Sequence, residues 1–94
     1  MNIRRLVLDV DKAVARPSLL EIAQAIEACR GVDGLNITVG EIDIETVGMD
    51  ITIEGEHLDY EAIMAAIEAT GAVVHSIDEI VAGNRFVDRI ERKR

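Results

Sequence analysis

The chain has 94 residues and a formal net charge of −8; 49 % of its residues are hydrophobic and 2 % are aromatic. One domain is expected at this length. The acidic balance and the scarcity of aromatic rings argue against nucleic acid binding, which needs a basic surface and often uses rings on which bases stack.

The first predicted elements are a strand over residues 3–12 and the helix that follows it. Apolar and polar side chains alternate along the strand, which is typical of a half-buried strand. The apolar side chains that share one face are Leu6, Leu8 and Val10. The helix is predicted to begin after Ser18, because Glu21 stands at the spacing of a capping box, and to end at Gly31.

Two further strands are predicted over about residues 35–45 and from Met49 onwards, with residues 46–48 as the turn between them. The apolar phase of the earlier strand slips at Gly40, which indicates a bulge. In the later strand apolar and polar residues alternate again. The apolar set is Met49, Ile51 and Ile53, and the polar set is Asp50, Thr52 and Glu54.

The last predicted elements are a second helix, capped by Asp59 and ended by Gly71, and a strand over about residues 72–81. The apolar pattern of this strand is mixed. It leaves open whether Val73, His75 and Ile77 or their neighbours face the core.

An internal repeat relates the two halves of the chain. Residues 22–29 recur 41 residues later as residues 63–70, and a glycine follows each copy. Two similar strand–helix–strand halves predict an α+β, ferredoxin-like βαββαβ fold. Its four-stranded antiparallel sheet would have the order 4-1-3-2, with both helices on one face.

Carboxylates are the main feature of the predicted open face of this sheet. The four expected there are Asp9, Asp11, Asp50 and Glu54. Like charges opposite one another destabilise a sheet by a few tenths to about 1 kcal/mol, and oxygen ligands suit Ca²⁺ or Mg²⁺. A solvated acidic face, a cation site and an interface all remain open. The facing of Asp43 and Glu45, which follow the phase slip, also remains open.

No catalytic motif is visible. The run of residues 75–79 contains a His, a Ser and two acids, but His75 and Ser76 are adjacent on a strand and should point to opposite faces. A catalytic triad is therefore not expected. His75 is interpreted either as a packed or hydrogen-bonded structural histidine or as a group that contacts a ligand, a metal ion or a partner.

The end of the chain inverts the charge balance. Residues 85–94 carry five basic and two acidic side chains, a balance of +3, which leaves −11 on residues 1–84. We therefore divide the chain into a domain over residues 1–84 and a basic amphipathic tail over residues 85–94. Its apolar residues, Phe86, Val87 and Ile90, stand at helical spacing. Phe86 favours docking of this tail, within the subunit or onto a neighbour, over a frayed end.

Three strings, residues 5–10, 39–46 and 75–79, resemble a small archaeal family catalogued as domain of unknown function 211. The resemblance implies a ferredoxin-like fold, a homo-oligomer and an archaeal cytoplasmic protein, without any established activity. The candidate ligand or interface residues inside the strings are Asp9, Asp43, Glu45, His75, Asp78 and Glu79.

The leading functional prediction is a non-enzymatic homo-oligomer that serves as a small regulatory or ligand-binding module. The alternative is a Ca²⁺- or Mg²⁺-binding protein that uses the open-face acids; no other cofactor is expected. No apolar run approaches the ~18–20 residues that span a bilayer, and Cys29 has no partner for an internal disulfide. A cytoplasmic protein without membrane contact is the expectation.

Overall fold

Six elements follow one another in the computed structural model, which describes residues 1–92. They are β1 (Ile3–Ala13), α1 (Leu19–Glu27), β2 (Val32–Ile42), β3 (Thr46–Gly55), α2 (Tyr60–Ala69) and β4 (Val73–Ala82). The strands form one antiparallel sheet in the order β2-β3-β1-β4. This is the predicted ferredoxin-like arrangement, since 4-1-3-2 is the same order viewed from the other edge.

The helix ends follow from local chemistry. The Ser18 hydroxyl accepts a hydrogen bond from the Glu21 backbone N–H, and the Glu21 carboxylate accepts one from the Ser18 N–H, which confirms the predicted capping box. Asp59 caps α2 by accepting from the Ala62 N–H. Helix α1 ends at Glu27 with Ala28 as its C-cap, so the expectation that it ends at Gly31 is wrong, because residues 28–31 already form a turn. Gly71, with a φ of +102°, directly follows the C-cap of α2 and ends that helix as predicted.

The core lies between the helices and one face of the sheet. Its innermost side chains have at most 1 % of their surface exposed. They are Leu6, Leu8, Val10, Ile22, Ile26, Met49, Ile51, Ile53, Ile63 and Ile67. The predicted apolar faces of β1 and β3 are therefore the faces that the helices cover. Within residues 1–92, neither helix is long and apolar enough to cross a membrane.

The β2–β3 hairpin lies earlier in the chain than predicted. The predicted bulge at Gly40 is confirmed, because the register shifts between Val39 and Glu41. However, β2 ends at Ile42, and the Asp43 N–H donates to the Thr46 carbonyl at 2.8 Å to close the turn. The expectation that β2 continues to residue 45 is wrong, since this short turn already returns the chain into β3.

The mixed apolar pattern of β4 follows from its irregular pairing with β1. Its register against β1 shifts at three places, one of them between Asp9 and Val10 and another between Val7 and Leu8. These two shifts insert His75 and Asp78 as extra residues of β4 and break its period of two, whereas the third shift inserts Arg4 into β1. Residues 86–92 form neither helix nor strand, so the helical spacing of the tail is not realised in this part of the chain.

Candidate functional site

The sheet face opposite the helices, here called the open face, presents the side chains of Arg5, Val7, Asp9 and Asp11 from β1. Their half-buried positions alternate with the buried core residues of the same strand. Two different environments follow along this strand. One surrounds Asp9 and Asp11, and the other surrounds Arg5.

The first environment is a concave region that we call the acidic hollow, with a volume of about 520 Å³. Asp9 lies directly opposite Asp50 across the β1–β3 pair, so like charges oppose each other here. Asp11 lies opposite Gly48, where the missing side chain keeps the surface open. The residues that line the hollow are Asp9, Asp11, Gly40, Glu41, Gly48, Met49, Asp50 and His75. Glu41 was missed from the sequence because its facing depends on the Gly40 bulge.

His75 lies at the rim of this hollow. Its Nδ1 is 3.7 Å from Asp9 Oδ2, and its side chain is 68 % exposed. The interpretation of His75 as a packed residue is therefore wrong. The register shift between Asp9 and Val10 makes His75 the extra residue of β4 and directs it outward.

The neighbouring Ser76 is not activated by this histidine. Its hydroxyl donates to Asp78 Oδ1 at 2.8 Å. Across residues 1–92, no serine or cysteine forms a hydrogen bond with a histidine, the contact by which a histidine activates a nucleophile. The hydroxyl of Ser76 is paired with an acid instead.

The second environment is centred on Arg4 and Arg5, which we call the arginine clamp. Arg5 contacts three carboxylates: Glu54 at 2.8 Å, Glu79 at 3.3 Å and Asp88 at 3.1 Å. These hydrogen bonds, that of Glu54 first, hold the pKa of the Arg5 guanidinium above its usual range. Arg5 is therefore a permanent cation that is shared by three carboxylates at this end of the open face.

The tail packs on the same clamp. The Phe86 ring centroid lies 5.2 Å from Arg5 Cζ and 5.8 Å from Arg4 Cζ, within the range of cation–π contacts. Arg4 also donates to the carbonyls of Gly83 at 2.6 Å and Asn84 at 2.8 Å. The described part of the tail thus contacts its own chain through Phe86 and Asp88. Lys93 and Arg94 lie outside the described residues.

The four carboxylates predicted as a cation site are divided between the two environments. Asp9, Asp11 and Asp50 line the acidic hollow, whereas Glu54 forms an ion pair with Arg5. Within residues 1–92, no three His, Cys, Asp or Glu side chains converge closely enough to hold one metal ion. One copy of the described chain therefore provides only part of a coordination shell.

The other predicted ligand or interface residues are dispersed. Asp43 lies in the β2–β3 turn, where its carboxylate accepts from the Ile44 N–H at 2.6 Å, and exposed Glu45 lies beside it. Asp78 and Glu79 lie on β4, and Glu79 belongs to the arginine clamp. The sequence signal for Arg5 was its position on the same face of β1 as Asp9, but nothing local indicated its three partners.

Cys29 belongs to neither environment. It packs against the core, and its thiol donates to the Ala25 and Ala62 carbonyls. Burial, followed by the charge of Asp59, raises the pKa of the Cys29 thiol above its usual value. The reactive thiolate is therefore disfavoured at neutral pH, as expected for a packing residue.

Comparison with known proteins identifies a family that matches nearly the whole chain. The model of domain of unknown function 211, described as uncharacterized ArCR, matches residues 4–94. Uncharacterized protein MJ0319 of Methanocaldococcus jannaschii is 43 % identical over 89 residues, which cover 95 % of this chain and 91 % of that protein. The fold, the length and these matches agree. The chain belongs to the archaeal family of domain of unknown function 211.

Proposed function

We propose that the protein is a non-enzymatic homo-oligomer that serves as a small regulatory or ligand-binding module. The observation that supports self-assembly is the set of exposed apolar side chains on β4, an edge strand of the sheet: Val73 on the open face, and Ile77 and Ile80 on the face that the helices cover. The exposed fractions are 58 % for Val73, 39 % for Ile77 and 52 % for Ile80. Aliphatic side chains along an unpaired strand edge favour association with another chain.

The groove between α2 and β4 extends this apolar surface. Its lining includes Tyr60, Met64, Val74 and Ile77. The groove of the other half, between α1 and β2, contains Leu19 and Ala23. These stand 41 residues before Tyr60 and Met64, so the repeat supplies each edge of the sheet with a similar apolar groove.

Substitution of Ile80 by lysine tests this proposal. We expect Ile80→Lys to lower the solution mass towards that of the monomer, because a charge at the contact must lose its hydration on association. Val14→Lys is the matched control, since Val14 is similarly exposed, at 49 %, but lies outside the strands. Light scattering gives the mass, and circular dichroism verifies the fold. A monomeric wild-type protein at 100-micromolar scale would contradict the proposal.

The ligand-binding part of the proposal concerns the acidic hollow. Its open shape and its carboxylates suit a cationic ligand better than an anionic one. The proposal includes no reaction, because the hollow is not enclosed and water-excluding sites support catalysis. A cytoplasmic location also belongs to the proposal, and the single thiol supports it.

Divalent-cation binding is the second candidate, and the direct opposition of Asp9 and Asp50 favours it. Among the described residues 1–92, the lining of the acidic hollow contains no arginine or lysine, in contrast to the Glu54 environment. Water molecules or carboxylates from a second copy would have to complete the coordination shell, since Ca²⁺ takes 6–8 oxygen ligands.

Thermal unfolding of Asp50→Asn tests the cation candidate. With EDTA and low salt, we expect the variant to be more stable than wild type by a few tenths to about 1 kcal/mol, because a like-charge pair is removed. Calcium at about 100 times its dissociation constant should stabilise the wild type by about 2.7 kcal/mol and the variant by much less. Exposed Asp33→Asn is the control. An unchanged wild-type midpoint in excess calcium would remove this candidate.

A further inference from the structure

The directions of the strands restrict how a second copy can join β4. Strand β1 runs from Arg5 towards Asp11, and β4 runs antiparallel to it, from Val73 beside Asp11 to Ala82 beside Ile3. The acidic hollow therefore lies near the beginning of β4. The basic tail leaves from its end, on the opposite side of the sheet.

A twofold contact between β4 strands brings these two ends together. In an antiparallel pair of identical strands, the end of one β4 lies beside the beginning of the other. The tail of each copy then lies next to the acidic hollow of its partner. Pairing of β4 with β2 of another copy would instead place the tail beside Val32, where β2 begins, away from the hollow.

The arginine clamp holds the tail on the correct face for this contact. Phe86 and Asp88 pack on Arg5, a residue of the open face, and a twofold axis perpendicular to the sheet keeps the open faces of both copies on one side. Beyond Asp88 the described tail carries Arg89 and Arg92, both exposed. Neither forms an ion pair with another residue in the range 1–92.

The distances are compatible with such a contact. The distance between the β1 strands of the two copies is three strand spacings, about 14 Å in total. The four residues from Asp88 to Arg92 span up to about 13 Å when extended, and an arginine side chain adds further reach. Arg92 can therefore reach the Asp9 and Asp11 carboxylates of the partner, and Arg89, only one residue beyond Asp88, adds its positive charge nearby.

We infer that β4 is an isologous dimer interface, and that the basic tail of each copy docks at the acidic hollow of the other. This inference rests on the proposed self-assembly and specifies its partner strand, its symmetry and the charges that select them. Opposite charges meet across the interface, on a chain whose first 84 residues carry −11 and whose remainder carries +3. The apolar side chains of β4 supply the buried contact at its centre.

Cysteine cross-linking tests the symmetry. The middle of β4 lies near Ile77 and Asp78. Only in the twofold arrangement does each of these residues lie close to the same residue of the second subunit. In a Cys29→Ser background, we expect Asp78→Cys and Ile77→Cys to give covalent dimers on mild oxidation. Ile37→Cys, in the middle of β2, is the control and should stay monomeric on a denaturing gel.

Charge reversal tests the tail. We expect Arg89→Glu with Arg92→Glu to weaken dimerisation at least about tenfold in sedimentation experiments, which corresponds to about 1.4 kcal/mol. Arg16→Glu with Arg30→Glu makes the same change in net charge outside the tail and should change the dissociation constant much less. If both double variants weakened dimerisation equally, the effect would come from net charge alone, and docking of the tail would be overturned.

The two proposals fail in different ways. A wild-type protein that sediments as a monomer at all concentrations overturns self-assembly itself. A wild-type multimer in which neither Asp78→Cys nor Ile77→Cys cross-links overturns only the β4 pairing.

Discussion

Substitution of Gly55 by alanine is expected to destabilise the protein by about 3 kcal/mol, the upper end of the usual cost of overpacking. A methyl group on Gly55 would overlap the Gly31 carbonyl and approach the Asp33 amide. These are backbone atoms, and the Gly31 carbonyl already accepts a hydrogen bond from the Glu56 N–H at 3.1 Å. Relief of the clash therefore requires movement of the junction between α1 and β2.

Gly34→Ala is the matched control for this prediction. Gly34 lies on β2, close in the chain to the same junction, but no atom lies within 4 Å of the position of its added Cβ. We expect a change of less than about 1 kcal/mol in the free energy of unfolding, since only backbone entropy is altered. Urea unfolding of both variants compares their free energies of unfolding. Similar midpoints for the two would show that the Gly31–Gly55 approach is not rigid.

Leu8→Ala is expected to cost about 2–5 kcal/mol, the range for large-to-small changes in a core. Leu8 lies on a central strand, is fully buried, and pairs with Ile51 on β3 and Ile77 on β4. Its loss removes apolar contacts on both sides of β1, and neighbouring strands cannot close around the cavity without breaking their hydrogen bonds. We expect the thermal midpoint to fall by many degrees.

Leu20→Ala is the control for the core prediction. Leu20 lies on α1 but is 75 % exposed, so its truncation removes little buried surface. A change within about 0.5 kcal/mol is expected. A loss comparable to that of Leu8→Ala under dilute conditions would show that the α1 side is buried by another copy, and a dependence of this loss on protein concentration would verify it.

The organisation of the open face links these stability arguments to function. Glu54 and Glu79 share Arg5 as an ion-pair partner at one end, while Asp9 and Asp50 face each other at the other end. Repulsion between directly opposed like charges therefore arises in the acidic hollow. A cation, or the basic tail of a second copy, would relieve the same repulsion, so the two proposals compete for one surface.

Much of the fold could be predicted because its signals are local. Alternation along β1 and β3 identified the faces that the helices cover, and the spacing of Ser18 and Glu21 identified the start of α1. The repeat related Asp9 to Asp50, and the register of β1 and β3 places them opposite each other. Gly40 marked a bulge because a single extra residue changes the apolar phase of a strand.

Only the tertiary structure showed which carboxylates contact Arg5 in the arginine clamp and which side chains of β4 face outward. Arg5 meets carboxylates that lie 49, 74 and 83 residues away in the chain, and no local pattern encodes such a meeting. His75 turns outward because β4 accommodates extra residues against β1, which depends on long-range register. The sequence by itself determined which face of each central strand is apolar, since side-chain alternation is a property of the extended backbone. Only the packed sheet decided which charges meet, since their positions depend on where the edge strands bulge.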